Sequence, residues 1–110
     1  MRLEGLPLAA IDWQDVPSTI VSGTTGTATM RARQLGQVQL RVVEYGRGYL
    51  ADHWCSKGHI IHMLSGVLVL ERRDGRSFPL CAGMSYAVSD ADGAPHRVSC
   101  EHGATVFIVD

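Results

Sequence analysis

With 110 residues, 45% of them hydrophobic, the chain is long enough for one domain with a buried core and too short for two. A formal net charge of −1 without a basic run removes the electrostatic case for nucleic acid, and no apolar stretch reaches the ~18 residues of a membrane span. Three cysteines without paired spacing fit reduced thiols or a metal ligand rather than a disulfide framework. Asp12 and Trp13 interrupt any leader-like apolar run, so a cytoplasmic protein is expected.

In chain order, residues 1–23 are irregular and read as an edge strand and a loop, ahead of a body over residues 24–110. The body is strand-like almost throughout. "TATMRARQL", "QVQLRVVEY", "GYLADHWC", "HIIHML", "VLVLERR", "MSYAVS", "HRVSC" and "ATVFIVD" are short and rich in β-branched, aromatic or leucine residues. Glycine-bearing segments such as "YGRG", "CAG", "DADGAP" and "EHG" separate them. "RDG" predicts a tight primed turn between "VLVLE" and "RSFPL". No window carries a sustained apolar stripe at helical spacing, so no long helix is expected. About eight or nine short strands at even spacing predict an all-β sandwich or barrel in a single domain.

The densest chemistry lies in "ADHWCSKGHIIHMLSG", where His53, Cys55, His59 and His62 fall within ten positions. Side chains at i and i+2 of a strand share a face, so an extended "DHWC" would point His53 and Cys55 the same way, with Asp52 and Trp54 opposite. "SKG" offers a turn that would fold His59 back toward that pair. His59, Ile61 and Met63 then share one face, and His62 shares the other with Ile60 and Leu64, which removes His62 as a ligand. A fourth donor would come from His96, His102, Cys81 or Cys100. His102, in "EHG", reads as solvated, Cys81 as packing, and Cys100 as a small apolar filler with the strand parity of His96. Asp90 and Asp92 are explained by turn chemistry. Tyr49, Tyr86 and Met84 are candidates to line an interior pocket.

These residues resemble the cupin superfamily, whose first motif is G-x5-H-x-H-x3,4-E-x6-G and whose second is G-x5-P-x-G-x2-H-x3-N. The first reads here His53-x-Cys55-x3-His59-x6-Gly66, with cysteine at the second histidine and histidine at the glutamate position. Gly46 and Gly48 flank the place of the leading glycine, which holds Arg47. In the second motif Gly83 and Gly93-x2-His96 fit, Ser89 stands for proline and Cys100 for asparagine. The "DHWC" string is similar to that of small single-domain DHCW-motif cupins, from "GTTGTA" to "FIVD". The resemblance implies a double-stranded β-helix, the jelly-roll barrel, with a metal near its centre held by His53, Cys55, His59 and His96. It carries no particular reaction with it.

One thiolate with imidazoles and no carboxylate favours a divalent transition metal, Zn²⁺ first, with Fe²⁺, Ni²⁺ and Cu behind it. His53, His59 and His96 also match the three-histidine iron site of cupin thiol dioxygenases. Two function classes follow. One is metal-dependent chemistry, dioxygenase- or isomerase-like, on a small molecule in the barrel. The other is a non-catalytic module that binds or senses a metal or small ligand. A homodimer is expected, because small cupins tend to cover an open edge with a second copy and the apolar N-terminal segment could add a strand.

Overall fold

The computed structural model describes residues 3–110. After a 3-10 turn over Trp13–Asp15, nine strands follow: β1 (Ser18–Ser22), β2 (Thr27–Leu35), β3 (Val38–Tyr45), β4 (Tyr49–Leu50), β5 (His59–Arg72), β6 (Ser77–Cys81), β7 (Ser85–Val88), β8 (His96–Cys100) and β9 (Ala104–Val109). All pairings are antiparallel. One sheet runs β1-β2-β3-β9-β5-β7 and the other β4-β8-β5-β6, so β5 belongs to both. Inward side chains of both sheets form one core, with Met63, Leu68, Leu70 and Val106 fully buried. This is the expected all-β, curled, jelly-roll arrangement. Among the described residues, the strand nearest the N-terminus is β1, an edge strand that pairs only β2.

Three local expectations are corrected. "HIIHML" and "VLVLERR" are one strand rather than two. The buried positions of β5 are His59, Ile61 and Met63 before Gly66, and Leu68, Leu70 and Arg72 after it. A register shift between Met63 and Ser65 and the left-handed Gly66 (φ 75°) change the inward phase as the strand passes between sheets. "GYLADHWC" is a strand only over Tyr49–Leu50, because the chain bends at Asp52 and His53 and touches the sheet again only where Cys55 bridges His96. The "RDG" connection is not a two-residue primed turn. Asp74 keeps a negative φ and only Gly75 is left-handed (φ 96°), with Gly75 N–H donating to Arg72 O and Arg72 N–H to Arg76 O. That is the bulged three-residue loop.

A Cβ on Gly66 would run into the carbonyl oxygen of Gly103, whereas a Cβ on Gly75 would meet nothing within 4 Å. Both glycines hold a positive φ, so the difference isolates the close approach. Gly66→Ala is expected to cost more than about 2 kcal/mol in urea unfolding. Gly75→Ala should cost about 1 kcal/mol, the backbone penalty alone. Equal losses would show that Gly66 is not a packing constraint.

Candidate metal centre

Cys55 and His96 face each other as a reciprocal backbone pair: Cys55 N–H donates to His96 O (2.7 Å) and His96 N–H to Cys55 O (2.9 Å). Residues paired in this way put their side chains on the same face. His59 opens β5 on its inward phase, with Cys55 Sγ 3.5 Å from its Nε2 and its ring 5.0 Å from that of His96 in edge-to-face contact. One donor atom each from Cys55, His59 and His96 lies within 4.8 Å of the others. Both histidines are buried and Cys55 is half-buried.

Gly58 makes the turn between Cys55 and His59 possible. Its Cα sits where a Cβ would meet backbone atoms of Val88, Ser89 and Asp90 at 2.7–2.9 Å. Asp90 Oδ1 accepts Gly58 N–H (2.6 Å) and Ala91 N–H donates to Ser56 O (3.2 Å), clipping this turn to the loop that precedes His96. The turn role expected of Asp90 is therefore carried by a cross-loop bond.

His53 is placed apart from the trio. Its side chain is 73% exposed and its Nδ1 lies 2.7 Å from Asp52 Oδ1, although it lines the mouth of the same cavity. The bend at Asp52 and His53 breaks the i, i+2 relation that a continuous strand would have kept. His62 is exposed and pairs with Ser85 Oγ (2.8 Å), facing away from the cluster as parity required. His102 is solvated. Cys100 is buried against the Val67 carbonyl and Gly103 N–H, the filler role expected of it. Cys81 is exposed beside Met84 Sδ (3.5 Å) rather than packed, since it ends an edge strand at a turn. Of the three pocket candidates, Tyr49 lines the cavity, while Tyr86 lies behind His96 and Met84 is exposed.

Two residues escaped the sequence reading. Asp110 Oδ2 lies 3.0 Å from His59 Nδ1 and 2.7 Å from Arg41 Nη2. A carboxylate can only accept, so Nδ1 carries the ring proton and Nε2 keeps its lone pair toward Cys55. Asp110 follows the inward phase of Ala104, Val106 and Ile108, and that alternation was the signal available. Arg72 occupies the inward phase of the second half of β5, tied to Asp92 (2.7 Å), Tyr86 Oη (3.2 Å) and Asp74 (3.4 Å). This also gives Asp92 a partner that turn chemistry did not foresee. Burial, then the neighbouring His59 and Arg72, push His96 down to about 4. Burial likewise lowers His59, against the pull of Asp110. Both imidazoles are neutral at pH 7, the state in which a histidine binds a metal.

No family model matches the sequence, and no curated protein matches it. The fold has clear counterparts among solved structures. The polyketide cyclase RemF from Streptomyces resistomycificus aligns at TM-score 0.77 and 18% identity, over 94% of this chain and 78% of that one. A sugar phosphate isomerase of the cupin superfamily from Silicibacter pomeroyi aligns at 0.72 and 17%, over 92% and 74%. The chain has the cupin fold. Hydroxypropylphosphonic acid epoxidase from S. wedmorenis aligns at 0.73 and 11%, over 94% and 59%, and HppE is also solved in an Fe(II) form. Among the described residues of this cupin-fold chain, no helix is long and apolar enough to cross a membrane.

The depressed His96 has a consequence for stability. The unfolded imidazole, at its ordinary value of 6.5, takes up a proton before the folded one at about 4. The unfolded state therefore binds more protons in that window, and stability rises with pH across it. Metal-free protein, measured in urea with a chelator present, is expected to lose stability as pH falls from about 6.5 to about 4. His96→Gln should reduce that slope.

Proposed function

We propose that the protein is a small metal-binding cupin in which Cys55, His59 and His96 hold one divalent transition metal beside a cavity that admits a small molecule. The observation that carries this is the convergence of three donor atoms within 4.8 Å at one wall of a cavity of about 170 Å³. The donor set fits a metal: one thiol, two neutral imidazoles, and no carboxylate among the three. Zn²⁺ is the first choice, with Fe²⁺, Ni²⁺ and Cu after it. His53, at the cavity mouth, is the fourth ligand of the proposal and reaches the site by leaving Asp52. A metal held there supplies Lewis acidity or, for a redox metal, oxygen chemistry. Asp110 keeps the His59 ring turned so that Nε2 meets the site, while Val43, Ile61 and Tyr49 keep the walls dry. The adjacent cavity favours dioxygenase- or isomerase-like chemistry over a sealed, non-catalytic module. Three free thiols favour a reducing compartment, the cytoplasm.

A second reading has its own observation. Cys55 Sγ, His59 and Asp110 stand in the order of nucleophile, base and orienting carboxylate, at 3.5 Å and 3.0 Å. Elemental analysis of protein purified without a chelating column separates the two. Stoichiometric metal in the wild type, a Zn²⁺ affinity at least about tenfold weaker in Cys55→Ala, and no change in His62→Ala support the metal site. Affinity should also fall on acidification, as the ligands take up protons. Equal effects of Cys55→Ala and His62→Ala would remove the assignment. Metal-free protein whose Cys55 is alkylated quickly at neutral pH, with the rate lost in Asp110→Ala, would favour the second reading.

We also infer a homodimer. Edge strand β1 carries Ile20, 76% exposed, and the apolar Leu6 and Leu8 precede it on the surface. Sedimentation at micromolar concentration should give twice 11.9 kDa. A single monomeric species would overturn the inference.

A further inference from the structure

The cavity beside the trio has an uneven charge. Its lining includes Arg41 and Arg97 and no aspartate or glutamate. Arg97 already meets Glu71 across β5 and lies 4.5 Å over the Trp54 ring, so its charge is largely engaged. Arg41 differs. Its side chain is 20% exposed, and its Nη2 holds Asp110 at 2.7 Å. Its Nη1 meets only the Met30 thioether at 3.8 Å, and its buried Nε has no partner among the described residues. Leaving a buried guanidinium donor unmade is costly, and a charged donor favours an oxygen anion as its acceptor. Asp110, which Arg41 holds, meets His59 through the same Oδ2, keeps an Oδ1 with no partner among the described residues, and does not line the cavity. The remaining walls are apolar: Met30, Val43, Ile61, Ile108 and the faces of Tyr45 and Tyr49.

We propose that this cavity binds a small monocarboxylate with an apolar body, its head on Arg41 and its chain along Val43, Ile61 and Tyr49. A guanidinium with free donors recognises a planar carboxylate, while the lack of acidic lining removes any seat for an ammonium group. A volume of about 170 Å³ limits the body to a few carbons. The proposal rests on the reading of this cavity as a small-molecule site, but not on which metal the trio holds.

The test uses the full chain, metal-free and loaded with one equivalent of Zn²⁺, titrated with pentanoate, pentan-1-ol and pentylamine. Calorimetry gives the affinities, and the Arg41 Nε–H resonance reports contact in the wild type. Pentanoate should bind at least about tenfold tighter than pentanol in both forms, pentylamine should not bind, and the Arg41 Nε–H signal should move. Arg41→Gln should lose at least about tenfold for pentanoate and little for pentanol, while Arg97→Gln loses less. Equal binding of pentanoate and pentanol, or an unmoved Nε–H signal, overturns the proposal without any variant. Carboxylate preference that appears only with Zn²⁺ and survives Arg41→Gln also overturns it, and leaves the metal site standing. Arg41-dependent carboxylate binding by a protein that takes up no metal upholds it, and removes the metal reading alone.

Discussion

Everything at the centre of this molecule depends on β5 crossing between two sheets without ending. A continuous strand buries alternate residues, so it can serve two sheets in its own phase only if that phase slips where it crosses. The extra residue Leu64, between Met63 and Ser65, supplies the slip, and just beyond it Gly66 has a positive φ and packs against Gly103. Before the slip His59 faces inward, and after it Arg72 does. Arg72 pairs in register with His96, which brings β8 back to within ring contact of His59. The two halves of one strand thus approach the same site from opposite sheets.

The electrostatics of the site follow from what stands behind each imidazole. Asp110 and Arg41 lie behind His59, and Arg72 with Tyr86 lies behind His96. Desolvation dominates for both rings and keeps them uncharged. The cations are themselves fixed by carboxylates, Arg41 by Asp110 and Arg72 by Asp92. They therefore supply field without competing for the inward-facing nitrogens.

The loops around the trio are held by backbone rather than by bulk. The Cys55–His96 pair and the Gly58–Asp90 contact are short hydrogen bonds in a segment with little regular structure of its own. Both sit within a few residues of a donor, so the positions of Cys55 and His59 depend on the loop before β8 as much as on β5. His53 has no such tie, and its partner is its exposed neighbour Asp52.

The sequence by itself determined the class of fold and half of the site's logic. Alternation in "TATMRARQL" and "ATVFIVD" marked real strands, and parity correctly turned His59 inward and His62 outward. The intervals His53-x-Cys55-x3-His59 and Gly93-x2-His96 pointed to four donors, of which Cys55, His59 and His96 come together while His53 stands apart on Asp52. Tertiary structure decided the rest. Periodicity assumes a continuous strand, so it could not see that Asp52 and His53 bend away, or that "HIIHML" and "VLVLERR" join across a change of phase. Nor could local spacing bring Asp110 to His59 or Arg41, which lie 51 and 69 residues away along the chain. Such pairings come from strand order, because β9 is inserted between β3 and β5 and carries Asp110, the residue just past its end, to the site.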